Sequence, residues 1–110
     1  MSAPRRVLFL CSRHRRRSPT AAAVFGDWPG LEVDSAGLAG DADAPLDAEQ
    51  LAWADLIVVM EAAHRRRLLA RHRERLKGRR VVVLGIPDDY DFMQPELVAR
   101  LLKAAGPLLR

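Results

Sequence analysis

Val7-Leu-Phe-Leu10-Cys11-Ser-Arg-His-Arg-Arg-Arg17-Ser18-Pro19 reads as an apolar strand running through a short cationic loop straight into a helix. Four consecutive apolar residues suit a strand buried on both faces. Ser18 has the chemistry of an N-cap, Pro19 suits the first helical position, and Thr20-Ala-Ala-Ala-Val-Phe25 propagates the helix. Cys11 falls at the strand end and Arg17 at the helix start. That spacing suits a sulfur nucleophile beneath a loop of backbone N–H groups, with a planar guanidinium reaching the same anion. A phosphate fits such a cradle.

The same strand–helix alternation continues along the chain. Gly26-Asp-Trp-Pro-Gly30 is a turn cluster, Leu31–Val33 a short strand, and Asp34-Ser-Ala-Gly37 a polar loop after it. Residues 38–47 read as surface loop and Ala48–Ala54 as a short helix, with Trp53 as a core or interface anchor. Leu56-Ile-Val-Val-Met60 is the clearest buried strand. Glu61–Leu76 is the helix after it, with Leu69, His72 and Leu76 sharing a face and most arginines outward. Lys77-Gly78 closes that helix. Val81–Leu84 is the fourth strand, and Gly85–Phe92 an acidic loop. Pro95 to about Leu109 is a final helix, with Leu97, Val98, Leu101, Leu102 and Ala105 as its apolar stripe. The expected fold is a single α/β domain over residues 1–110: a four-stranded parallel sheet with helices on both faces and right-handed crossovers. Ligands in such sheets bind beyond the carboxyl ends of the strands. Three loops converge there: Cys11–Ser18, Asp34–Gly37 and Asp88–Asp91.

Composition narrows the classes. Apolar residues are 49% of the chain, which excludes a disordered segment, and no apolar run approaches a membrane span. The stretch Met1-Ser-Ala-Pro-Arg-Arg precedes only four apolar residues, too few for a signal peptide. A lone cysteine forms no internal disulfide and points to the reducing cytoplasm. The net charge of +4 suits anionic substrates, nucleic acid or simply an arginine-rich surface, and bears on association rather than fold. Against nucleic acid, the 3 Phe, 2 Trp and 1 Tyr do not interleave with the arginines as a stacking platform requires. His14, His64 and His72 show no ligand-type pairing with carboxylates or thiolates, so no metal is expected. His64-Arg-Arg-Arg67 repeats His14-Arg-Arg-Arg17 in different surroundings and reads as coincidence.

Each chemical reading has a plainer alternative. A lone cysteine after a strand is commonly a small buried hydrophobe. The helix start and the neighbouring arginines instead suit a nucleophile. Arg17 could be one more solvated cation. Placed just before Ser18-Pro19, it can turn back and grip two phosphate oxygens, which lysine does less well. Ser18 can cap the helix or hydrogen-bond the Cys11 sulfur. Asp88 and Asp89 could be ordinary turn acids, and Tyr90 a half-buried loop aromatic.

Val7-Leu-Phe-Leu-Cys-Ser-Arg-His-Arg-Arg-Arg-Ser-Pro-Thr-Ala resembles the signature loop of the low-molecular-weight protein tyrosine phosphatases. Val33-Asp-Ser-Ala-Gly37 is similar to that family's second motif, Ala54-Asp-Leu-Ile-Val-Val-Met60 to its third strand, and Ile86-Pro-Asp-Asp-Tyr90 to its aspartate loop. The motifs recur in the family's order along nearly the whole chain. The resemblance implies a metal- and cofactor-free, two-step phosphoryl transfer from a phosphotyrosine protein or small aryl phosphate. Cys11 would attack phosphorus, Asp88 would protonate the leaving oxygen, and water would hydrolyse the cysteinyl phosphate. Asp89 is the alternate acid, one register away. Ser12, Arg13, His14, Arg15, Arg16, Arg17 and Ser18 would form the phosphate loop, and Tyr90 would wall the cleft.

Departures from the family pattern carry their own expectations. Arg13 and His14 stand where the family usually has Gly and Asn. A positive φ is tolerable for His but strained for Arg, and His14 is expected to take the Asn role and meet the Ser35 hydroxyl. Arg16 replaces a second loop cysteine, so no disulfide can form inside the loop. The chain is shorter than a typical member, mostly between Gly37 and Ala54, where a cleft wall normally lies. Arsenate reductases share the fold and loop, but their relay needs additional cysteines. The alternative function is a catalytically weak phosphate- or nucleic-acid-binding module on the same fold; the oligomeric state is left open.

Overall fold

The computed structural model describes residues 4–110. The expectation about a targeting segment lies partly on Met1–Ala3, outside the described residues. Strands β1 (Arg5–Cys11), β2 (Leu31–Gly37), β3 (Leu56–Val59) and β4 (Arg80–Val83) form one parallel sheet in the order β2-β1-β3-β4. Helices α1 (Arg17–Phe25), α2 (Ala48–Trp53), α3 (Ala62–His72) and α4 (Pro95–Leu109) connect or follow the strands. The expected four-stranded parallel sheet with helices on both faces is what the chain forms.

Alternation along β1 explains the two layers. Val7, Phe9 and Cys11 point to one face and meet Ala21 and Phe25 of α1 with Leu97, Leu101, Ala105 and Leu109 of α4. Leu8 and Leu10 point to the other and meet Leu51 of α2 with Leu68 of α3. Every β1 residue from Val7 to Leu10 is fully buried, so this strand reads as a continuous apolar run rather than as polar alternation. Phe9 stacks on Phe25 with ring centroids 5.6 Å apart, and Phe25 meets the edge of Trp28 at 4.8 Å. Trp53 is half-buried against the α2–α3 layer, as an anchor should be.

Several elements differ from the sequence expectation, each for a packing reason. Strand β2 runs on through Asp34–Gly37, because those residues pair with Leu8–Cys11. Helix α1 begins at Arg17, with Arg16 as a cap lacking a side-chain hydrogen bond. Ser18 lies inside the first turn and does not cap it, since its hydroxyl faces Cys11 and Ala36. The basic helix stops at His72 and tightens into a 3₁₀ turn over Arg73–Leu76. Its buried face is His64 and Leu68, with Leu69 beside it and His72 only half-covered. In α4 the stripe turns toward Gly106 and Leu109, leaving Leu102 39% exposed.

The pairing register brings Cys11, Gly37, Val59 and Val83 to one sheet edge. From β1 the chain leaves through α1 toward β2. From β3 it leaves through α3, on the opposite face, toward β4. The edge between β1 and β3 is therefore the topological switch point, where the two connections diverge and a crevice opens.

Candidate phosphate-binding site

Cys11 ends β1 at this crevice, 3% exposed, with its Sγ 2.9 Å from the Ser18 Oγ. The Ser18 hydroxyl also lies 3.3 Å from the Ala36 carbonyl. One hydroxyl proton cannot serve both. With a thiol, the sulfur donates to Ser18 and Ser18 donates to Ala36; with a sulfur anion, Ser18 turns its proton onto the sulfur. Both protonation states of the sulfur therefore keep a hydrogen-bond partner.

The loop after Cys11 turns its carbonyls outward. Those of Cys11, Ser12 and Arg13 accept from the N–H groups of Leu38, Ala39 and Asp43 at 2.9, 2.8 and 3.1 Å. The loop's own N–H groups over residues 12–16 have no hydrogen-bond acceptor among the described residues. Backbone donors left in this way form an anion-binding nest. Gly37 makes the close approach possible: a Cβ there would stand 2.5 Å from the Ala42 Cβ and 2.9 Å from the Ser12 carbonyl. His14 holds the left-handed turn of the loop at φ 57°, with its Nε2 2.7 Å from the Ser35 Oγ. Arg13 does not share that conformation; among the described non-glycine residues only His14 and Met93 have positive φ. The arginine is free of the strain its position raised.

Arg17 is buried to 3% exposure at the start of α1. Its Nη1 donates to Glu61 Oε2 at 2.6 Å and to the Ile86 carbonyl at 2.8 Å. Two of the five guanidinium N–H groups are so engaged, leaving the Nε and Nη2 edge for a planar, two-point grip. Asp88 Oδ1 lies 3.8 Å from Nε. Cys11, Arg13, Arg15, Arg16, Arg17 and Asp88 line one cleft.

Not every sequence candidate reaches it. Asp89 is exposed and does not line the cleft. The Tyr90 ring packs toward the α1–α4 core, its hydroxyl accepting from Arg100 Nη1 at 2.9 Å, and it too is absent from the cleft lining. Ser35 acts at one remove, through His14.

Sequence reasoning missed the β3–α3 turn. Glu61 caps α3, accepting from the helix's first turn while the His64 Nδ1 accepts from the Glu61 N–H at 3.2 Å. That bond leaves the proton of the neutral imidazole on Nε2, which stands 3.1 Å from Ser12 Oγ and 3.4 Å from Glu61 Oε2. One turn thus holds both Arg17 and Ser12. The signal available was topological: the strand flanking β1 on its other side must end at the same crevice.

The ionisable groups follow from these contacts. The Arg17 hydrogen bond holds the Glu61 carboxyl below the usual carboxylate range, against some desolvation. Burial, then the Arg17 charge, pushes His64 below the ordinary imidazole value; burial does the same to His14. A histidine lowered in the fold is protonated more readily in the unfolded chain. Stability from these two is therefore complete above the unfolded value of about 6.5 and is lost as pH falls through it. Glu61 adds a loss in a lower window, below its own unfolded value. The midpoint of thermal unfolding is expected to drop between pH 7.5 and 5.5. His64→Gln should shallow that slope, measured by circular dichroism; an unchanged slope would remove His64 from the account.

A parallel sheet with helices on both faces and a cysteine-to-arginine loop at its switch point defines a class of α/β folds. Within it, the fold is that of the low-molecular-weight protein tyrosine phosphatases. Wzb of Vibrio vulnificus, solved with benzylphosphonate, superposes with a TM-score of 0.77 at 22% identity, over 96% of this chain and 97% of that one. The low-molecular-weight protein tyrosine phosphatase SP-PTP of Streptococcus pyogenes gives 0.77 at 14% identity, over 96% and 91%. The YwlE arginine phosphatase of Geobacillus stearothermophilus gives 0.67 at 24%, over 96% and 95%. No family model and no curated protein sequence matches the chain.

Proposed function

We propose that the chain is a phosphatase, one catalytic domain hydrolysing phosphotyrosine or small aryl phosphates through a cysteinyl phosphate. The observation carrying this reading is the nest of N–H groups without acceptors among the described residues, with Cys11 at its floor and beside it the Nε–Nη2 edge of Arg17, which only Asp88 approaches, at 3.8 Å. Neighbours of the same fold support it: one was solved with benzylphosphonate, and Wzb of Escherichia coli K30 with phosphate and with sulphate.

In the first step the Cys11 Sγ, as the sulfur anion, attacks phosphorus as the P–O ester bond breaks, and Asp88 gives its proton to the departing oxygen. The loop N–H groups and Arg17 bear the charge on the three equatorial oxygens. In the second step water attacks phosphorus, its proton passes to the Asp88 carboxylate, and the P–S bond breaks. Ser18 donates to the leaving sulfur. Glu61, His64 and His14 take no proton in either step; they hold Arg17, Ser12 and the loop turn in place. A reducing cytoplasm belongs to this reading, since an oxidised sulfur cannot attack.

Hydrolysis of p-nitrophenyl phosphate in EDTA tests it. Turnover is expected without added metal. A folded protein that binds phosphate but releases no nitrophenol would overturn the enzyme and leave a binding module.

A further inference from the structure

The wall of the cleft is cationic rather than aromatic. Arg13, Arg15, Arg16 and Arg17 line it, and Asp88 is the one acid among them. Arg13 and Arg15 already touch carboxylates of the short segment after β2. Arg13 Nη1 lies 3.0 Å from Asp41 Oδ2, and Arg15 Nε lies 3.4 Å from Asp43 Oδ1. Arg16 is exposed and has no carboxylate partner among the described residues. The molecule therefore displays a ligand for its own mouth: a peptide segment with carboxylates at positions i and i+2, laid along two of the three exposed arginines.

We propose that this mouth selects phosphopeptides in which the phosphotyrosine is flanked by acidic side chains. The proposal rests on the phosphatase reading and names its substrate class. Arg16 takes a substrate carboxylate directly. Arg13 and Arg15 are contested by Asp41 and Asp43, whose ion pairs are half-exposed (side chains 52–66% accessible) and so exchange easily. The acidic segment stays beside the loop through its backbone, the Asp43 N–H donating to the Arg13 carbonyl at 3.1 Å. A peptide fits better than a compact bisphosphate because the arginines are spread along the rim, as residues 41–43 show. Attraction between exposed charges acts mainly on encounter and weakens with salt.

The test compares kcat/KM for three phosphotyrosine peptides of equal length with glutamate, alanine or lysine flanks, p-nitrophenyl phosphate serving as reference for every sample. At low salt the acidic peptide is expected to exceed the alanine peptide by about 3- to 10-fold, with the lysine peptide below both. The spread should collapse in about 0.5 M salt. Asp41→Asn with Asp43→Asn should widen the acidic-to-alanine ratio by about 2-fold, and Arg16→Glu should invert it. If Arg16→Glu fails to fold, the three peptides on the native protein still decide. Equal kcat/KM for all three, or a small bisphosphate preferred over each, overturns the selectivity while the reference reaction stands. Absence of the reference reaction in the native protein overturns the phosphatase reading, and the selectivity with it.

Discussion

Cys11→Ser is expected to abolish turnover of p-nitrophenyl phosphate while leaving inorganic phosphate or vanadate bound. The fall should be on the order of 10⁵ or more in kcat, the scale of removing a covalent nucleophile. The chemical step fails because a serine hydroxyl at neutral pH is a poor nucleophile and has no base beside it. Sγ has Ser18 Oγ at 2.9 Å and no histidine within reach. Binding survives because the anion is held by other groups: the loop N–H donors and the Nε–Nη2 edge of Arg17. The substitution also costs little packing, since an oxygen replaces a sulfur at a site already facing a hydroxyl. Retained turnover would remove Cys11 as nucleophile. Loss of anion binding together with turnover, in a folded variant, would mean that the sulfur itself shapes the loop.

Asp88→Asn is expected to slow aryl phosphates by about 10²–10⁴, the range for a lost general acid. The size should depend on the leaving group. An alkyl-like or phenyl oxygen needs its proton as the P–O bond breaks, whereas nitrophenolate leaves comparatively well without one. Phenyl phosphate should therefore suffer more than p-nitrophenyl phosphate, and that divergence identifies an acid rather than a structural contact. Geometry favours Asp88 over its neighbour: Asp88 lines the cleft 3.8 Å from Arg17 Nε, and Asp89 faces solvent. A large effect from Asp89→Asn with little from Asp88→Asn would reverse the assignment.

Leu8 and Leu10 facing one layer with Phe9 and Cys11 facing the other is a consequence of strand pleat, and uninterrupted apolar runs announce that both layers exist. The parallel sheet followed directly from such runs alternating with helices. So did the placement of Cys11 and Arg17, because a strand end and the next helix start are separated only by the loop written between them. Local chemistry was weaker at Ser18. A serine before proline is a sound N-cap in isolation, yet here a sulfur seven positions earlier competes for its hydroxyl. The loss of Leu102 from the α4 stripe has the same origin: periodicity marks an apolar face but not the angle at which the helix meets the sheet.

The cradle's components were thus written in the order of residues 7–19, where spacing along the chain is also spacing in space. What lies across the chain was not. Glu61 reaches Arg17 over 44 positions, and His64 reaches Ser12 over 52. These contacts exist only because β1 and β3 are paired side by side, which strand order, not strand sequence, decides. The acidic segment against Arg13 and Arg15 likewise depends on Gly37 letting two loops touch. Residue types and periodicity fixed the address of Cys11 and the sheet that presents it. Tertiary pairing chose the groups that hold the arginine still, and the acids that share its mouth.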